Sequence, residues 1–236
     1  MCIRDSPSVI SIANQKGGVG KTTTAINLST ALAAVNNKVL IMDLDAQGNA
    51  STGLGVPKDE REKSTYDLLT GKASLKDVVK KTNIPSLFIA PASTDLSSID
   101  VDLFEEQGRV VKLRDLLAKE SLDFDYILID CPPSLNLLTI NSMVASNSVL
   151  VPLQAEFFAL EGLSQLLLTV RDIRSKINQD LKIHGIVLTM FDKRNNLSEQ
   201  IEEDVRGNLG ELVYDTVIPR NVRVSEAPSF SMPALI

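Results

Sequence analysis

Ten residues, "NQKGGVGKTT" from Asn14 to Thr23, constrain the fold of this chain more than any other stretch. A short apolar run, "VISIA" at 9–13, leads into them, and a helix-period segment starting near Lys21 leads out. Strand, glycine-rich turn and helix in that order open a parallel α/β unit. In such a unit the turn's backbone N–H groups and the helix N-terminus together favour phosphate oxygens. The usual pattern, G-x-x-x-x-G-K-[ST], would place its first glycine where this chain has Gln15. The next position is Lys16, a second lysine ahead of Lys21. The bland alternative is a glycine-rich turn with an accidental Lys-Thr, and the agreement of strand, loop and helix outweighs it.

The rest of the chain repeats the pattern. Further apolar runs, "KVLIMD" (38–43), "LFIAPA" (87–92), "YILID" (126–130), "SVLVPL" (148–153), "IHGIVLTM" (183–190) and "LVYDTVI" (212–218), alternate with helix-period segments. That alternation predicts an α/β fold: a doubly wound, mostly parallel sheet flanked by helices. The clearest helix is expected from about 156 to 178, with Leu160, Leu163, Leu167, Val170, Ile173 and Ile177 forming one apolar stripe for the core. "GLGVPKDEREKS", residues 53–64, reads as a solvated surface connection. At 236 residues, 44% hydrophobic and 23% charged, the chain suits one large domain, expected over 8–236. Residues 1–7 match neither a signal peptide nor a strand, so they are expected to be non-native or disordered and Cys2 carries no weight. "SFSMPALI" stops on an apolar run with no closing helix and reads as a truncated end. Two cysteines, no tryptophan and no stretch of about 18 apolar residues argue against a disulfide framework, a secreted product or a membrane span. The expected compartment is the cytoplasm.

The loop assigns candidate roles. Gly17, Gly18, Val19 and Gly20 are expected to wrap phosphates, with Lys21 on the β and γ phosphates, the Thr22 hydroxyl on Mg²⁺ and Thr23 near the α-phosphate. Carboxylates should then stand at the C-terminal ends of neighbouring strands. Asp130 ends "YILID" and is the candidate to contact Mg²⁺ through water. Asp43 and Asp45, in "VLIMDLDAQGN", lie on the same side if the strand persists, and all three acids would then converge on the loop. Asp45 is the candidate for orienting the attacking water and for a second water-mediated metal contact. Any of the three could merely cap a strand or turn.

Taken together, "KGGVGKTT", "DLDAQGNAS", "LIDCPPS", "LTMFDKRNNLS" and "IPRNVRVSEAPS" resemble the ParA/Soj-type partition ATPases, from about residue 8 to the end. These are P-loop NTPases with a deviant loop, similar in their core to MinD and the nitrogenase iron protein. The resemblance implies that ATP and Mg²⁺ are the cofactors and that Lys16 reaches across a homodimer interface to the opposite subunit's nucleotide. A lysine in the loop's leading segment, with no first glycine to curl the backbone, is free to point that way. A solvated lysine, or one on its own nucleotide, is the alternative. The resemblance also implies base contacts from Pro219 and Asn221, with Met190 a weaker candidate; by itself Pro219 would read as a strand terminator. It implies sequence-independent DNA contacts from Arg194 and Arg223, with Arg220 beside them, a ParB/Spo0J-type activating partner, slow hydrolysis without it, and nucleoid association with no membrane contact. One departure is Ala46, where the family has proline, so the loop after Asp45 is expected to be looser.

A net charge of −6 and a pI near 4.9 confine any DNA contact to a local patch, and nearby acids such as Asp192 and Glu226 allow the arginines to be ordinary surface residues. Two rival functions are a MinD-type membrane-surface ATPase, which needs a C-terminal amphipathic helix, and an iron–sulfur reductase component, which needs two placed cysteines where Cys131 is the credible one. His184 and Cys131 otherwise read as buried or strand-end residues.

Overall fold

The computed structural model describes residues 6–120, 123–156 and 159–235. The apolar runs become strands because β-branched and leucine side chains fill both faces of a sheet covered by helices. In chain order the elements are β1 (Ser8–Ile12), α1 (Lys21–Ala34), β2 (Val39–Asp43), α2 (Asn49–Gly53), α3 (Thr65–Leu69), α4 (Leu75–Val78), β3 (Lys80–Lys81), β4 (Leu87–Ala90), α5 (Ile99–Asp102), α6 (Lys112–Lys119), β5 (Tyr126–Asp130), α7 (Leu137–Ala145), β6 (Ser148–Gln154), α8 (Ala159–Lys176), β7 (Lys182–Phe191), α9 (Asn196–Leu209), β8 (Val213–Pro219) and α10 (Val222–Glu226). They build one eight-stranded sheet in the order β3-β4-β2-β5-β1-β6-β7-β8. All neighbours run parallel except β3, which pairs antiparallel with β4. β3 has no apolar signature in the sequence, being two lysines on a sheet edge, where charge discourages further pairing.

Alternation along the strands divides the core in two. Ile10, Ile12, Val39, Ile41 and Leu128 pack with Ala25, Ile26 and Ala33 of α1. Val9, Leu40, Met42, Ile127 and Ile129 face the opposite layer, which contains residues of α3, α6, α7, α8 and α9. In α8, Leu163, Val170 and Ile173 are buried and Leu160, Leu167 and Ile177 pack half-buried on the same core, as the stripe requires. Residues 157–158 of that expected helix, and residues 1–5 with Cys2, lie outside the described residues.

The stretch 53–64 departs from its reading as a solvated connection. Leu54, Val56, Arg61 and Ser64 are buried. Its charged residues are not equivalent, since Arg61 turns inward onto backbone carbonyls while Lys58, Asp59 and Glu60 stay exposed. His184 stands exposed on β7, edge-on to the Tyr214 ring.

Candidate functional site

β1 lies between β5 and β6, so the loop that follows it emerges among the C-terminal strand ends, where open α/β sheets hold ligands. Gly18 and Gly20 have φ of +75° and +89°, left-handed backbone that turns the loop around a cradle and starts α1 at Gly20. Val19 is buried and anchors the loop, its carbonyl accepting from the Thr189 hydroxyl of β7 at 2.7 Å. Asn14 braces the leading segment: its amide donates to the Pro152 carbonyl at 2.7 Å and its side-chain oxygen accepts from the Lys16 N–H at 3.0 Å. A cavity of about 470 Å³ opens over the loop, lined by Gly17, Gly18, Gly20, Lys21, Thr22, Thr23 and Asp45 on one side and by Met190, Pro219, Arg220 and Asn221 on the other.

The two lysines differ sharply. Lys21 is buried, donates to the Lys16 carbonyl at 2.8 Å, and has its pKa lowered by desolvation against the opposing pull of Asp130. Lys16 carries 41% of its side chain exposed and pairs with Glu156, beyond the end of β6. Glu156 is a partner that the sequence reading missed, because nothing local in "QAEFF" marks it.

The carboxylates also separate. Asp130 stands level with Ile12 of β1 and Asp43 of β2 and is fully buried. Its carboxyl oxygens accept no well-formed hydrogen bond among the described residues, although the nearby Thr22 hydroxyl favours the charged form. Burial first, then the neighbouring Asp43, pushes its pKa well above the usual carboxylate range. Asp43 does not converge on the loop. Strand β2 ends at Asp43, so the alternation that would align it with Asp45 is lost, and its carboxylate turns to the Ser51 N–H (2.9 Å) and hydroxyl (2.6 Å) and the Asp45 N–H (3.2 Å). Burial still raises its pKa to about 6. Asp45 is half-buried at the cavity wall, with Oδ1 accepting from the Gln47 N–H at 3.0 Å.

No group of three or more His, Cys, Asp or Glu among the described residues gathers as a metal centre. Magnesium asks for less, since it keeps most of its water and takes one or two protein groups beside phosphate oxygens. An unsatisfied buried Asp130 next to the Thr22 hydroxyl, under a glycine cradle with a buried lysine, fits a magnesium-bound phosphate chain. An iron–sulfur cluster does not fit: Cys131 is buried, meets the Ser142 hydroxyl at 2.9 Å, and has its thiol pKa pushed up to about 12 by burial, which keeps thiolate scarce.

The far wall of the cavity comes from the ends of β7 and β8. Met190 sits at φ +50°, left-handed backbone that a methionine rarely adopts and that turns the chain at this rim. Beyond the rim, Asp192, Lys193, Arg194, Arg220 and Val222 line an adjoining surface depression, with Arg220 shared between the two. Arg194 is bound there to Asp192 by two bonds, Nε at 2.9 Å and Nη2 at 2.8 Å, which hold Asp192 down at about 2. Arg223 is exposed on α10, whose N-terminus Asn221 caps by accepting from the Arg223 N–H at 2.9 Å. Arg194 and Arg220 therefore share one depression, with Arg223 on the short helix that follows.

A family model described as an AAA domain matches residues 7–183. The chain is 55% identical over 230 residues to the chromosome partitioning protein ParA of Caulobacter vibrioides, covering 97% of this chain and 86% of that one. It is 49% identical over 228 residues to the sporulation initiation inhibitor protein Soj of Bacillus subtilis, covering 97% and 90%. Among solved structures, cobyrinic acid a,c-diamide synthase from Mycobacterium smegmatis with bound ATP analog and magnesium overlays with a TM-score of 0.86 at 36% identity, covering 95% and 93%.

Proposed function

The chain belongs to the ParA/Soj family of partitioning ATPases, and from that premise we propose that it is a nucleotide switch whose ATP-bound dimer holds DNA without regard to sequence. The observation that carries this reading is the division of labour between the two lysines. Lys21 is buried in the phosphate cradle, while Lys16 lies outside it in a half-exposed ion pair that costs little to break.

In this proposal the loop glycines and Lys21 hold the phosphates of ATP, and the Thr22 hydroxyl and Asp130 hold Mg²⁺, Asp130 through water. Bound magnesium supplies charge neutralisation across the phosphate oxygens. Pro219 and Asn221, with Met190, flank the base. Lys16 exchanges Glu156 for the nucleotide of a second subunit and so joins the pair. Asp45, oriented by the Gln47 N–H, positions water at the cavity wall. Loss of the γ-phosphate then removes the contacts that keep two subunits closed. DNA meets Arg194, Arg223 and Arg220, doubled in the dimer, which places the protein on the nucleoid, and a ParB/Spo0J-type partner accelerates a slow intrinsic turnover.

The diamide synthase likeness, at lower identity, shares the nucleotide fold, and its named chemistry stays with that protein. No helix among the described residues is long and apolar enough to cross a membrane. The test is co-pelleting with DNA, and with anionic lipid vesicles, under ATP, ADP and no nucleotide. DNA capture with ATP alone supports the proposal. Vesicle capture, or DNA capture independent of nucleotide, overturns it.

A further inference from the structure

Arg61 has no role in anything described so far, yet it is a cation that is only 8% exposed. Its guanidinium makes no ion pair among the described residues; it is spent on oxygen acceptors from a single neighbourhood. Nε donates to the Val56 carbonyl at 3.0 Å, and Nη1 to the Ala92 carbonyl at 3.3 Å. Nη2 reaches the Thr52 hydroxyl at 2.7 Å, the Val56 carbonyl at 2.8 Å and the Gly48 carbonyl at 3.3 Å. These acceptors bracket both ends of α2 and tie it to the chain just past β4. Gly48 is what the loop from Asp45 runs into: its N–H donates to the Asp45 carbonyl at 2.8 Å. It must also be glycine, because its φ is +65° and a Cβ there would overlap Arg61 Nη1.

We propose that Arg61 is a positioning residue for hydrolysis, a buried clamp that fixes the segment from Asp45 through the start of α2 to Thr52, and through it the Asp45 carboxylate. Asp43 works from the other side of the same loop, holding the Ser51 N–H and hydroxyl. The segment Asp45–Gly48 contains no proline to restrain its backbone, and the planar guanidinium supplies the restraint from outside. A carboxylate that orients water loses effect with displacements of about 1 Å, which can cost on the order of 100-fold. Arg61 touches none of the cavity-lining groups that hold phosphate, so turnover and nucleotide affinity should separate.

The inference rests on the reading of Asp45 as the water-orienting group, and the test is built to tell the two apart. Single-turnover ATP hydrolysis and nucleotide affinity are measured for the full chain as wild type, Arg61→Met, Arg61→Lys, Asp45→Ala and the double variant Arg61→Met/Asp45→Ala. Arg61→Met is expected to lower the hydrolysis rate at least tenfold with nucleotide Kd within about threefold, and Arg61→Lys, which keeps charge but not the planar fork, should rescue it only in part. In the double variant the rate should match Asp45→Ala alone, since both act through one group. Thr52→Val, which deletes one acceptor at an exposed position, carries the test if Arg61→Met does not fold; it should slow hydrolysis about threefold at unchanged Kd. Wild-type turnover in Arg61→Met, or in Thr52→Val where Arg61→Met does not fold, or a further loss in the double variant, overturns the clamp while leaving Asp45 standing. Wild-type turnover in Asp45→Ala overturns the reading beneath it.

Discussion

Replacing Asp130 by asparagine should stabilise the nucleotide-free protein while destroying its response to magnesium nucleotide. The carboxyl is fully buried with neither oxygen in a well-formed hydrogen bond among the described residues, and its pKa is raised by burial and then by Asp43, the residue level with it on β2. A carboxyl raised in the folded state contributes stability that is complete below its unfolded pKa and is lost as pH climbs. At pH 8 the wild type therefore bears the cost of a buried charge or of retaining a proton against the solvent. Burying this ion costs several kcal/mol, of which the attraction of nearby Lys21 offsets a part and an asparagine amide still short of partners returns about 1–3 kcal/mol. The net gain for Asp130→Asn is about 1–2 kcal/mol, or roughly 2–8 °C in Tm for a chain of this length. It should shrink towards pH 4, where Asp130 is itself protonated. Thermal unfolding at pH 8 and pH 4, with and without Mg²⁺-ATP, measures both effects. A lower Tm than wild type at pH 8, or wild-type stabilisation by Mg²⁺-ATP, would refute the argument.

Three further outcomes follow from the same geometry. Lys21→Ala should abolish ATP binding by calorimetry, whereas Lys16→Ala should bind ATP and stay monomeric by light scattering. Glu156→Gln removes Lys16's intrasubunit partner; at about 0.5 kcal/mol for a half-exposed pair, counted once per subunit, the ATP dimer should tighten about fivefold in sedimentation equilibrium. Asp45→Ala should slow hydrolysis and accumulate the ATP dimer at nearly unchanged nucleotide affinity, and wild-type turnover would move the role elsewhere.

The loop and the sheet were legible because each depends on local chemistry. Glycines at 17, 18 and 20 followed by Lys-Thr, and apolar runs ending in Asp43 and Asp130, carry their geometry in short windows of sequence. Partners set by tertiary approach were not legible. Glu156 meets Lys16 across a long sequence gap, Thr189 ties β7 to Val19, and Arg61 turns inward from a segment that is otherwise polar. Asp43 was misplaced for a related reason: a two-residue alternation holds only while the strand lasts, and β2 stops at Asp43. The short edge strand Lys80–Lys81 shows the opposite failure, pairing by backbone alone with no side-chain pattern to reveal it.

A salt titration of DNA binding by fluorescence anisotropy tests most directly the proposal that ATP assembles a DNA surface from two subunits. With ATP, a dimer engaging about four phosphates should give a slope of log affinity against log salt of roughly −3 to −4, with little preference for DNA sequence. Arg223→Ala and Arg194→Ala should each flatten the slope while leaving the ATP dimer intact, and Lys16→Ala should bind no better with ATP than wild type does with ADP. Equal affinity with ADP and ATP, or an unchanged slope in both arginine variants, would contradict it.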